Sequence, residues 1–180
     1  MGKLNQIDKA AESKGSLLVT IWQFVKFIVV SLLAMIVQFV LLNTLNLIPA
    51  IKDLYTEPFE WWVFIYPVAV GGLGYFIVSN VANIIAQIVA FFVNKEKTFN
   101  SGANVAVALP IYIVFTIALI FFSAWLNPTL KELLINKEIF GYLINETAAK
   151  NAATMVCSAL QFFLYFPVDK ILFHKKKEEK

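Results

Sequence analysis

Lys26, Lys95, Lys97 and Lys170 each stand at the edge of a long apolar run. An ammonium group there is a compact charge with three donors, suited to a phosphate at a membrane surface. The same four residues read equally well as independent topology anchors, with Lys26 snorkelling to the interface. Amides lead towards them. Asn80, Asn83 and Gln87 fall at i, i+3 and i+7, Asn94 continues the stripe at i+14, and one helical face holds all four. A second stripe runs through Asn151, Thr154, Ser158 and Gln161. Amides are costly in hydrocarbon without partners, so both stripes are expected to face the bundle interior. There they serve as interhelical hydrogen bonds or as a polar path for a headgroup. The carboxylates fall in loops and tails, with Glu96 and Asp169 expected to pair with neighbouring lysines. No catalytic constellation is visible, so an enzyme is not expected. The lone Cys157 reads as a small packing residue, and the single His174 leaves no Cys/His metal site. No cofactor is implied.

The elements that must position these residues are membrane spans. Of 180 residues, 59% are hydrophobic and 15% charged, against about 25% charged in soluble domains. No charge occurs between Phe27 and Leu47, or between Trp61 and Val93. A run of about 20 apolar residues crosses the hydrocarbon core. Four spans are expected, at about 24–45, 66–93, 103–126 and 148–166, with Pro167 ending the last. Together they form an all-α integral membrane protein, a single membrane domain over residues 1–180. Gly71, Gly72 and Gly74 are expected to admit a close neighbouring helix. Residues 127–147, with Leu130, Leu133, Leu134, Phe140, Leu143 and Ile144, suit a short helix on the membrane surface. Residues 46–62, with Pro49 and Pro58, are expected to be less regular. Leu17, Leu18, Ile21, Trp22 and Val25 suggest an interfacial lead-in to the first span. The apolar run begins too late and runs too long for a cleavable signal peptide, and Gln6 argues against myristoylation.

With the N-terminus inside, the cytoplasmic side holds eleven lysines: 3, 9, 14, 26, 95, 97, 170, 175, 176, 177 and 180. The outside holds four: 52, 131, 137 and 150. The positive-inside rule therefore favours N-in and C-in. Trp22 then lies at the inner interface, and Trp61, Trp62 and Trp125 at the outer one. A net charge of +3 fits contact with anionic lipid, and the placement of the lysines at span ends argues against nucleic acid. A shift of 74 residues lays Gln87 on Gln161, Phe92 on Phe166 and Phe99 on Phe173. FVNKEKTF (92–99) then overlies FPVDKILF (166–173). Two tandem helical hairpins follow, a parallel repeat of about 22–99 and 100–173 with a cytoplasmic tail at 174–180.

The stretches KFIVVSLLAMIVQF (26–39) and IAQIVAFFVNKEKTF (85–99) resemble GtrA-like proteins. In that family a second span ends in Phe, then Asn and a basic residue, then a hydroxyl or aliphatic residue and Phe. Here these are Phe91 or Phe92, Asn94, Lys95, Thr98 and Phe99, and FPVDKILF resembles the weaker second copy. Where the family often has Arg and an aromatic, this chain has Lys95, Glu96 and Lys97. Pro167 and Asp169 replace the Asn–basic pair of the second copy. The resemblance implies flipping of a polyprenyl-phosphate-linked monosaccharide to the outer leaflet of the cytoplasmic membrane. The sugar then serves cell-surface polysaccharides, in partnership with glycosyltransferases. On that reading Lys95 and Lys26, with Lys97 and Lys170, meet the lipid phosphate. Asn83, Gln87 and Asn94 meet sugar hydroxyls, and Asn80 and Gln161 extend the path. A homodimer would enlarge the thin bundle. The alternative is a non-transporting membrane subunit that anchors or activates a glycosyltransferase.

Overall fold

A computed structural model describes residues 3–135, 137–139 and 142–174. It is mostly helical: α1 (Lys3–Glu12), α2 (Ser16–Leu45), α3 (Pro49–Lys52), α4 (Gly72–Val93), α5 (Val105–Leu134) and α6 (Glu146–Leu172). Two short antiparallel hairpins, β1–β2 (Phe59–Trp61 with Phe64–Tyr66) and β3–β4 (Glu138–Ile139 with Tyr142–Leu143), fill the links. Four helical segments are long and apolar enough to cross a membrane, and only 17–28% of their apolar windows is buried. Leu17, Val29, Phe39, Val114, Met155 and Phe163 point outwards. Side chains that leave so much apolar surface uncovered require lipid as their solvent.

The core is thin and follows small residues. On α4, Val78, Ala82, Ala86 and Ala90 recur every four residues and are buried. Ala86 and Ala90 pack on Val30 and Ala34 of α2. Ala149, Ala153 and Cys157 make a similar buried stripe on α6. Small side chains let helix backbones approach, which is the main source of packing energy where no hydrophobic effect acts between helices. α4 packs chiefly along α2, and α6 along α5.

Several elements differ from expectation. The lead-in is part of α2 itself, and a separate α1 precedes it. α5 continues through Pro128 to Leu134, so Leu130, Leu133 and Leu134 extend a span and do not start a surface helix. Leu143 lies in the β3–β4 hairpin, and Phe140 falls outside the described residues. α6 does not stop at Pro167 but runs on to Leu172. The ring removes one N–H and leaves the Phe163 carbonyl without its usual donor. Packing of Phe173 against Phe91 and Phe99 beyond the proline offsets that loss. The glycines at the start of α4 admit a close neighbour, but it is the short 3-10 helix Asp53–Thr56 and not another span. Gly72 lies against the Glu57 carbonyl and Gly74 against the Tyr55 ring, in the turn before β1. Gly72 also has φ of 51°, so any side chain there clashes and strains the backbone. That link is more ordered than expected. Phe59 of the hairpin stacks on Phe76 of α4 and Phe64 meets it edge-on, with centroids 4.4 and 5.1 Å apart. Phe64 also meets Phe121 of α5 at 4.9 Å.

Candidate functional site

The segments 92–99 and 166–173 meet at one end of the bundle. α4 ends there in a π-turn over Asn94–Thr98, closed by the Phe99 amide donating to the Asn94 carbonyl at 2.9 Å. Single π-turns of this kind are frequent at functional sites. Asn100 follows with φ of 45°, a left-handed position that Asn tolerates. The turn carries the side chains of 94, 95 and 98 inwards.

Asn94 is the hub. Its Nδ2 donates to Asp169 Oδ2 at 2.7 Å, and its Oδ1 accepts from Thr98 Oγ1 at 2.8 Å. All three residues are buried, Asp169 completely. Asp169 Oδ1 meets no donor, and no cation pairs with the carboxylate among the described residues. The expected pairing of Asp169 with a lysine is therefore replaced by an amide clasp between α4 and α6. Phe173 closes on Phe91 and Phe99, with centroids 5.1 and 5.6 Å apart. Phe166 meets Phe99 at 6.2 Å and Phe27 of α2 at 5.4 Å. Each such pair contributes about 0.5–1.5 kcal/mol beyond its burial. Phe92, the third motif aromatic, is exposed but touches Phe91 edge-on.

The four lysines share this end yet have different surroundings. Lys95 is 8% exposed, donates to the Ser101 carbonyl at 3.0 Å and pairs with Glu96 at 3.2 Å. Its own carbonyl accepts from the Ser101 amide at 2.8 Å. Lys26 pairs with Asp8 of α1 at 2.9 Å, and the same Asp8 oxygen accepts from Trp22 Nε1 at 2.6 Å. Lys97 is exposed. Lys170 is exposed and reaches Thr20 Oγ1 of α2 at 2.7 Å.

The amides do not join into one chain of contacts. Asn80 donates to the Phe76 carbonyl of its own helix at 2.7 Å, and Asn83 is half-buried. Gln87 accepts from Tyr112 of α5 at 3.1 Å, and Gln161 donates to Ser123 of α5 at 2.5 Å. In the second stripe Thr154 accepts from Asn127, while Asn151 and Ser158 are exposed. The most buried faces of α4 and α6 are the small-residue stripes, and the amides flank them.

Beside the clasp lies a cleft of about 400 Å³ between the first turns of α2, the π-turn and the end of α6. Thr20, Gln23, Asn100, Lys170 and His174 line it, with Phe99 and Phe173 as its apolar wall. Apart from Lys170 and Phe99, none of these stood among the candidate site residues. The signals were present but faint. His174 follows the second aromatic-ended stretch directly, and Asp169 occupies the position that Lys95 holds in the first. The chain matches no protein-family model, no curated protein and no solved structure.

Proposed function

We propose that the chain is a GtrA-like membrane protein that flips a polyprenyl-phosphate-linked monosaccharide from the cytoplasmic to the outer leaflet, for cell-surface glycosylation. The carrying observation is the joining of the two aromatic-ended stretches through Asn94 and Asp169, beside a polar cleft at one bundle end. Asn94, Thr98 and Phe99, which carry the family resemblance, thus lie in this joint, and Asp169, a departure from the family pattern, completes it. Lysine counts make this end cytoplasmic, which gives N-in and C-in and two hairpins in parallel orientation. The headgroup enters at the cleft while the polyprenyl tail stays in the bilayer. Glycosyltransferases load the lipid inside and use the sugar outside.

The Gln87–Tyr112 and Gln161–Ser123 bonds favour a second reading, in which the amides only pack helices and the chain anchors a glycosyltransferase. Reconstitution separates the two. Purified protein in vesicles, given a fluorescent short-chain polyprenyl-phosphoryl glucose, should expose the lipid to an external quencher faster than empty vesicles do. Equal rates with and without protein, together with a rise in glycosyltransferase activity when the two are reconstituted together, would support the anchor.

A further inference from the structure

Taking the chain as a carrier of a lipid phosphate, we infer that the phosphate is held in the cleft by Lys170, and the sugar hydroxyls by acceptors around it. Lys95 and Lys26 then belong to the scaffold. At Lys95 two of the three donors are taken, the ammonium is almost covered and Glu96 already balances its charge. At Lys26 Asp8 balances the charge. Lys170 is held differently. Thr20 commits its own proton to the Ser16 carbonyl at 3.0 Å, so its oxygen is left to accept from Lys170. One of three ammonium donors is used in fixing the side chain across α2 and α6. The remaining two serve an anion.

The other polar groups of the cleft are mostly acceptors. Gln23 Oε1 is enclosed and meets no donor, a costly state for a buried carbonyl oxygen. His174 Nδ1 lies 2.8 Å from the Ile171 carbonyl. As the donor there, it leaves Nε2 to accept in the neutral ring. One cation beside several acceptors fits a phosphate ester joined to a hydroxyl-bearing group better than a bare anion. The edges of the buried Phe99 and Phe173 form the apolar wall of the cleft.

Equilibrium dialysis of the detergent-solubilised full chain tests this with radiolabelled farnesyl phosphate and, separately, glucose 1-phosphate. Lys170→Gln should weaken farnesyl phosphate on the order of tenfold, the loss of one charge-assisted contact. Lys170→Arg should recover most of it, Gln23→Leu should weaken glucose 1-phosphate, and Lys52→Gln, an exposed lysine outside the cleft, should match the parent. Unchanged binding in Lys170→Gln, or an equal loss in Lys52→Gln, overturns the site. Glucose 1-phosphate binding as tightly as farnesyl phosphate overturns the lipid as its source. Binding is read without transport, so the two readings fail separately. A cleft that binds in a chain that moves nothing overturns only flipping, and flipping with Lys170→Gln unaltered overturns only the cleft.

Discussion

Residues 91–99 and 165–173 have the same burial register and different chemistry. Phe91 and Tyr165 are buried, as are Lys95 and Asp169, and Phe99 and Phe173; Glu96 and Lys170 are exposed. At the buried central position one stretch carries a lysine and the other an aspartate. The first stretch leaves the α-helix for a π-turn and satisfies its lysine with its own backbone. The second stays helical through Pro167, and one oxygen of its aspartate takes its donor from Asn94 of the first. Backbone carbonyls freed by a turn can take up a buried ammonium. A helix has no free amides along its length, so a buried carboxylate there needs a donor from elsewhere. The exchange of lysine for aspartate therefore explains why the stretches are joined and why only the second leaves its lysine at the cleft.

Substitutions can break this comparison in graded steps. Phe173→Ala and Phe99→Ala should each destabilise the detergent-solubilised protein by about 3 kcal/mol in thermal unfolding, as large-to-small changes in a packed cluster do. A much smaller loss in Phe173→Ala alone would mean that α6 is not held at this end. Asn94→Ala should cost nearly as much, about 2–3 kcal/mol, because it strips the buried Asp169 of its donor. Asp169→Asn retains an acceptor for Asn94 and should unfold within a few degrees of the parent. The double mutant Asn94→Ala/Asp169→Ala should be less destabilised than the sum of its singles; additivity would break the clasp. Gln87→Leu should have the smallest effect, about 0.6 kcal/mol for one interhelical bond. A near-total loss of transport in that variant, with stability intact, would sharpen the amide stripe into a path.

Spans were readable because composition alone determines them, and the four apolar segments occur where the uncharged runs lie. Ends were less readable. Proline chemistry predicts a stop at Pro167, but the reward for continuing lies in Phe91, Phe99 and Asn94, which are distant in sequence. Asp169 was assigned to the water side for the same reason, since its donor sits 75 positions away. The amides of α4 are half-buried or buried, but Asn151, Thr154 and Ser158 of the second stripe are exposed and not interior as expected, and the alanines at 82, 86 and 90 mark the tighter contact. Their four-residue spacing was visible but carries no polar signal. Cleft residues such as Thr20 and Gln23 had nothing in their local sequence to single them out.

The division of labour between the two stretches is tested most directly by placing Lys95→Gln and Lys170→Gln side by side in the vesicle assay, with thermal unfolding of each. Lys95→Gln should lower the unfolding temperature, and its remaining folded fraction should flip lipid at near the parent rate. Lys170→Gln should unfold like the parent and flip roughly tenfold more slowly. A stable Lys95→Gln that flips nothing, beside a fully active Lys170→Gln, would contradict the account.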